Sequence, residues 1–428
     1  MRLLLVGGGG REHALAWTLA RSPLLTRLIA APGNPGIGRH ATCVSVPDRA
    51  VDDLLALARR ERVDLTVVGP ELPLALGLAD RFRAEGLPVF GPAAAAARLE
   101  SSKRFAKDLM ARHGIPTAAF RAFDDPAAAR AWCRELGAPL VVKADGLAAG
   151  KGAIVCHTLE EADRAIALCM EERAFGEAGL TVVVEEFLVG EEASFFALSD
   201  GSAVLPLAAA QDHKTVFDDD RGPNTGGMGA YSPTPAVDAA MIERIMSEIA
   251  RPTIAAMGKE GTPYAGVLYV GLMLTADGPR VVEFNCRFGD PECQAILPRL
   301  DQDLLPLLEA VATGRGLPGA VRWRGDTSVC VVLASSGYPG KYQTGLPISG
   351  LDAGFGLGDE GLEEVNVFHA GTILREGRLV TAGGRVLGVQ ALGANIQSAI
   401  DTAYRAVARI RFDGMHFRKD IGRKALAR

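Results

Sequence analysis

VVKADGLAAGKGAIV, residues 141–155, is an apolar strand, a glycine-rich turn and a second apolar strand. The turn, Gly146 to Gly152, contains Lys151 and follows Lys143, so backbone N–H groups and two cations can gather around phosphate. It departs from the Walker pattern at two positions. Asp145 stands where the first glycine belongs, and Gly152 replaces the Ser or Thr that would hold magnesium. The expectation is a phosphate site of another kind, in which Gly146, Gly150 and Gly152 let a mobile lid close over a nucleotide while Lys143 and Lys151 supply charge. A surface loop with two solvated lysines is the competing reading.

Downstream, the apolar run from Thr181 ends in Glu185, Glu186, Phe187 and Leu188, followed by GEEAS. A strand-end carboxylate can meet a ribose or adenine while main-chain groups of Phe187 and Leu188 read the adenine edge. An exposed hairpin rim of glutamates is the alternative. In PRVVEFNCRFGDPE (279–292), Glu283 and Asn285 lie two apart on a strand and share a face, with Arg287 two further on. Hard oxygen ligands of this kind suit magnesium, and the arginine could clamp a phosphoryl or carboxylate group. The alternative is a plain Glu283–Arg287 salt bridge. Between these segments, AAAQDHKTVFDDDRGPNTGGMGAYSP (208–233) is too polar and glycine-rich for a core element, and it reads as a long functional loop. Asp212, His213 and Lys214 open it, and Asn224 to Gly229 close it. Substrate positioning is expected there, with His213 a hydrogen-bonding residue or a base.

Upstream, Leu3 to Val6, Arg27 to Ala31, Cys43 to Val46, Leu65 to Val68 and Pro88 to Phe90 alternate with helical stretches, which predicts a mostly parallel sheet covered by helices. Its strands end in GGGGREHA (7–14), APGNPG (31–36), GPELPLALG (69–77) and GPAAAAARLESSK (91–103), where such sheets bind ligands. Gly7 to Gly10 precede a helix and suit an anion, unless they form only a tight turn. A dinucleotide fingerprint would need glycine at Glu12, which weakens an oxidoreductase reading. Toward the other end, Arg322 to Asp326 reads as a linker. A strand over Ser328 to Leu333 opens a last region of short strands with a terminal helix at about 394–410.

Composition limits the function classes. The 428 residues are 48% hydrophobic and 23% charged, with 46 basic against 51 acidic residues and a net charge of -5. There is no basic run with interleaved aromatics, so polymeric nucleic acid is not an expected partner. No uncharged apolar stretch approaches the ~20 residues that cross a bilayer, so no membrane association is expected. The seven cysteines are scattered without zinc spacing, which predicts a reduced, cytoplasmic setting.

Taken in order, GGGGREHAL, APGNPG, GPELPL, LESSK, VVKADGLAAGKG, EEFLVGEEAS, QDHKTVFDDD, NTGGMGAYSP and EFNCRFGDPE resemble the motifs of the ATP-grasp superfamily, specifically its phosphoribosylamine–glycine ligase family. YPGKYQTGLPISGL (338–351) and FHAGT (368–372) resemble that family's carboxyl-terminal region. Ala153 stands where a valine is usual. The resemblance implies an α/β protein with an amino-terminal, mostly parallel α/β domain over 1–101. An ATP-grasp region follows over 102–320 with a lid at about 120–190, then a small α+β domain over 327–428. It implies ATP-dependent joining of glycine to 5-phosphoribosylamine through glycyl phosphate, with Mg2+ or Mn2+, by a monomer or weak homodimer.

The roles it implies fall residue by residue. Lys103 and Lys143 would hold nucleotide phosphates, and Glu185, Glu186, Phe187, Leu188 and Glu192 would seat adenosine. Glu283 and Asn285 would bind the metal. Arg287, Asp212, Lys214, Asn224, Gly226 and Gly227 would position glycine and the acyl phosphate, Arg287, Lys143 and Asp212 acting in catalysis. Gly8, Gly9, Gly10, Asn34, Gly36 and Glu71 would hold phosphoribosylamine. An ATP-grasp enzyme for another carboxylate and amine, a nicotinamide oxidoreductase and a non-catalytic nucleotide sensor are the competing functions.

Overall fold

Leu3, Leu4 and Leu5 have no exposed surface, as expected of a central parallel strand covered on both faces. They belong to strand Arg2–Gly7, which pairs in parallel with Arg27–Pro32 on one side and Leu65–Val68 on the other. Thr42–Cys43 and Val89–Phe90 complete this five-stranded sheet. The computed structural model describes residues 1–148, 151–354, 356–357, 362 and 364–427. The strand expected over Cys43 to Val46 is shorter than predicted, because the Val46 N–H turns back to the Val44 carbonyl at 2.7 Å and ends the pairing.

Two antiparallel four-stranded sheets follow. The first has the order Phe120–Phe123, Val182–Glu186, Leu140–Ala144, Ala153–Cys156. Leu140–Ala144 and Ala153–Cys156 form its terminal hairpin, with Lys143 opposite Ala153. Leu140, Val142 and Val184 form its core with Trp132 and Ile166. The second sheet runs Val204–Pro206, Glu191–Asp200, Ala265–Thr275, Gly278–Asn285. Here Gly271 pairs with Glu283 and Leu272 with Val281, so Val282 is bulged out of the ladder. The bulge lies before Glu283, so Glu283 and Asn285 keep a common face.

A five-stranded antiparallel sheet joins distant parts of the chain in the order Gln211–Asp212, Gly229–Ser232, Thr327–Ala334, Arg385–Gly393, Val365–His369. Helix Ile396–Val407, capped by Asn395, packs on it. The segment read as one long loop therefore contains two strands of this sheet and a hairpin, Thr215–Phe217 with Arg221–Asn224. Its polar residues hid the strands, since Gln211 and Asp212 are buried polar groups rather than apolar ones. The stretch read as a linker is also tied down. Buried Arg299 donates from Nε to the Asp326 carbonyl (2.7 Å) and from Nη2 to that of Arg324 (3.3 Å), and Leu300 bridges to Trp323.

Candidate active site

The two four-stranded sheets enclose a cavity of about 390 Å³, to which helices of the amino-terminal domain and the five-stranded antiparallel sheet also contribute. On the side of the first four-stranded sheet, Lys143 has its Nζ 2.9 Å from Glu185 Oε2 and 2.9 Å from the carbonyl of bulged Val282. Lys107, which the sequence reading did not select, places its Nζ 2.8 Å from the same Glu185 oxygen and 2.7 Å from Thr117 Oγ1. All three charged groups are buried. Burial alone would raise the Glu185 carboxyl, but Lys143 and Lys107 outweigh it and hold it below the usual range. Burial pushes the Lys107 ammonium down to about 8, against the pull of Glu185. Glu185 Oε1 has no partner.

The other residues expected around the nucleotide divide. Lys103 opens helix Lys103–His113 and lines the cavity, and its Nζ carries no ion pair among the described residues. Glu186 accepts from Arg280 Nη1 (3.1 Å) and the Ala119 N–H (3.0 Å) at the cavity wall, beside Phe187 and Leu188. Glu192 pairs with Lys214 at 3.2 Å. Gly152 lines the cavity, whereas Gly146 packs against Ala178. Lys151, expected over phosphate, donates instead to the Pro339 carbonyl at 2.7 Å. Gly150 lies outside the described residues.

The opposite wall concentrates acids. Burial is the largest influence on Asp212 and, despite the opposing Lys214, it joins Glu292, Glu192 and Glu283 in raising the carboxyl to about 8. Burial would also raise Glu283, but Lys214, Lys103 and Lys143 hold it near 2. Asn285 Oδ1 accepts from Arg287 Nη2 at 3.2 Å. Arg287 does not form the plain pair with Glu283. It reaches Glu100 (2.8 Å) and Glu71 (3.2 Å), linking the parallel domain to the cavity. Asn224 and Gly226 line the cavity, and Gly227 packs on Pro291. Arg385 Nη1 is bonded to the carbonyls of Gly226 and, at 2.6 Å, Asp290. Buried His213 points elsewhere, and its ring nitrogens have no hydrogen-bond partner.

The amino-terminal loops are placed differently from the expectation. The Gly9 N–H donates to Glu12 Oε2 at 2.6 Å, so the helix's own carboxylate occupies the position read as an anion site. Asn34 Nδ2 donates to the carbonyls of Gly8 (2.9 Å) and His369 (2.8 Å), and its Oδ1 accepts from the Ile37 N–H. Gly36 abuts His13 and His369, and Gly10 abuts Gln294. Of the six residues expected on phosphoribosylamine, Glu71 lines the cavity. Sequence reasoning also passed over Arg11, Glu100 and Glu292, which line it too. The signal for Glu100 was a single acid on the face of helix Ala94–Ser101 that buries Ala96, Ala97 and Leu99.

Glu283 and Asn285 are two oxygen donors on one face beside free Lys103. Among the described residues no group of three or more His, Cys, Asp or Glu side chains is arranged to hold a metal alone. Two protein donors fit magnesium, which completes its shell with phosphate and water.

Two antiparallel sheets closing on a cavity with paired lysines on one wall and an acid–amide pair on the other define an ATP-grasp protein. Family models bear this out along the chain. The phosphoribosylglycinamide synthetase N domain matches residues 1–100, its ATP-grasp (A) domain 101–293 and its C domain 328–424. The chain belongs to the phosphoribosylglycinamide synthetase family. Among its relatives, the phosphoribosylamine–glycine ligase of Rhizobium meliloti is 53% identical over 428 residues, covering 100% of this chain and 99% of that one. That of Pseudomonas aeruginosa is 50% identical over 431 residues, with the same coverage. The crystal structure of phosphoribosylamine–glycine ligase from Thermotoga maritima has 34% identity and a TM-score of 0.84, covering 98% of this chain and all of that one. Biotin carboxylase from Campylobacter jejuni, in complex with β-γ-ATP, shares the fold at 15% identity and a TM-score of 0.76, covering 100% and 95%.

Proposed function

We infer that this chain is an ATP-dependent ligase that joins glycine to 5-phosphoribosylamine for purine biosynthesis, through glycyl phosphate. The observation that carries the reading is the convergence on one cavity of Lys103, Lys143, Glu283, Asn285 and Arg287, in a chain similar along its whole length to ligases of that name. Phosphoryl transfer needs positioning and positive charge more than proton transfer, and that is what these groups supply. Lys143, fixed by Glu185 and the Val282 carbonyl, and Lys103 draw negative charge from the nucleotide phosphates. Glu186, Phe187, Leu188 and Glu192 seat adenosine. Glu283 and Asn285 would hold Mg2+ or Mn2+, which would neutralise charge on the phosphates.

A glycine carboxylate oxygen takes the γ-phosphoryl group, releasing ADP. The amine of phosphoribosylamine then attacks the acyl carbon, phosphate leaves and the amine gives up a proton. Arg287, held in place by Glu71 and Glu100, faces the acyl phosphate, while Asp212, Lys214 and Asn224 orient glycine. Gly8 to Gly10, Asn34 and Gly36 are proposed to hold phosphoribosylamine after the loops move off the contacts with Glu12 and His369. We place the enzyme in the cytoplasm as a monomer or weak homodimer. Its seven cysteines are unpaired, and among the described residues no helix is long and apolar enough to cross a membrane.

The test is ADP release with glycine, with and without phosphoribosylamine. Full turnover only with both is expected. Equal turnover with another amino acid in place of glycine overturns the substrate assignment.

A further inference from the structure

FDDDRG, residues 217–222, sits inside the segment read as a substrate loop, yet Asp218, Asp219 and Asp220 do not line the cavity. They face the end of the chain. Arg418, with no exposed surface, donates from Nε and Nη2 to the two oxygens of Asp420 at 2.8 and 2.7 Å. Its Nη1 reaches Thr215 Oγ1 (2.8 Å), the Thr215 carbonyl (3.3 Å) and Asp220 Oδ1 (3.0 Å). The contact is reinforced from both sides. The Asp219 N–H donates to Asp420 Oδ2 (2.9 Å), the Lys419 N–H to Asp218 Oδ1 (2.8 Å), and Lys424 pairs with Asp220 (2.7 Å).

Asp219 and Asp220 have φ of 59° and 54°, a left-handed conformation that aspartate adopts more readily than most residues and that both hold here within the contacts to Asp420, Arg418 and Lys424. The turn they form closes the hairpin in which Thr215 pairs with Asn224. At the hairpin's base, both the N–H and the Oγ1 of Thr225 donate to the Lys214 carbonyl at 2.7 Å. The guanidinium that grips Thr215 is thus one residue from Lys214 and one strand pair from Asn224, and both of these line the cavity.

We propose that Arg418 is a positioning residue for the glycine side of the site, clamping from the end of the chain the hairpin that sets Lys214 and Asn224. The proposal rests on the ligase reading above. The nucleotide-side groups Lys103, Lys143 and Glu186 have no contact with this clamp, and its one tie to that side is the partly exposed Lys214–Glu192 pair, so the effect falls mainly on glycine.

The experiment measures glycine and ATP kinetics together with hydrogen exchange in Arg418→Met. Because Arg418 is fully buried, the double variant Asp220→Asn/Lys424→Met, at partly exposed positions, serves as a second test. Expected is a rise in KM for glycine of about tenfold or more with KM for ATP and kcat within about threefold, and faster exchange over 214–225 but not over 140–156. Unchanged glycine KM in a folded variant, or glycine and ATP KM rising together, overturns the clamp. If the unaltered chain shows no glycine-dependent turnover, the ligase reading fails, and the exchange rate over 214–225 alone decides the clamp.

Discussion

Glu185 is one carboxylate serving two buried ammonium groups through a single oxygen. Under the proposed function, removing Lys143 takes away a phosphate partner and leaves Lys107 to Glu185. Removing Glu283 takes away half of the proposed metal pair. In each of Lys143→Ala and Glu283→Ala, turnover is expected to fall by at least about a hundredfold, roughly 3 kcal/mol of transition-state stabilisation, and steady-state ADP release reads it. His213 gives a stability prediction. Burial, with Arg418 and Lys424, pushes its pKa down to about 3, whereas an unfolded histidine takes its proton near 6.5. Between those values the unfolded state binds one proton more, so stability falls as pH drops below 6.5, by up to ~1.4 kcal/mol per pH unit. Urea unfolding at pH 7 and pH 5 should show His213→Gln losing about 2 kcal/mol less than the unaltered chain over that interval. At this scale the sequence was informative wherever spacing alone fixes geometry. Glu283 and Asn285 share a face because a strand alternates. Lys107 and Glu100 went unread because each became a site residue through a partner distant in the chain, Glu185 in one case and Arg287 in the other.

The hairpin of Leu140–Ala144 and Ala153–Cys156 was legible from its apolar runs, and it places Ala153–Cys156 at the edge of its sheet. The Lys151 side chain between them was not legible, since it crosses to Pro339 in a loop nearly two hundred residues on, which no local pattern announces. An exposed hydrogen bond of this kind contributes little, so Lys151→Ala should leave unfolding free energy within about 0.5 kcal/mol. If the turn closes over nucleotide, the same variant should raise KM for ATP several-fold. It should also lose the protection from proteolysis over 146–152 that ATP analogue and magnesium give the unaltered chain. A KM for ATP that does not move would keep the lysine at Pro339 and out of catalysis. The polar strands Gln211–Asp212 and Gly229–Ser232 were missed because two buried faces there hold hydrogen-bonded polar groups, among them Gln211 and Ser232, instead of an alternating apolar pattern.

For the molecule as a whole, three family domains do not mean three separable bodies. Strand Gly229–Ser232 pairs with Thr327–Ala334 across the nominal boundary, and Arg299 ties Ser232 to the stretch before it. A chain ending at residue 326 would bare Ala230 and Tyr231 and leave Arg299 without the carbonyl of Asp326 in its native place. It should express as aggregate or unfold without a cooperative transition, while the full chain melts as one unit through this sheet, read by calorimetry. The same sheet has a consequence for synthesis. Strand Gly229–Ser232, which pairs with the strand carrying Asp212, leaves the ribosome well before its other neighbour, Thr327–Ala334, a wait of several seconds or more at ~5–20 residues per second. The setting of Asp212, Lys214 and Asn224 is complete only after residues 416–424 have emerged, so the contacts that hold the hairpin between them are among the last that synthesis can make.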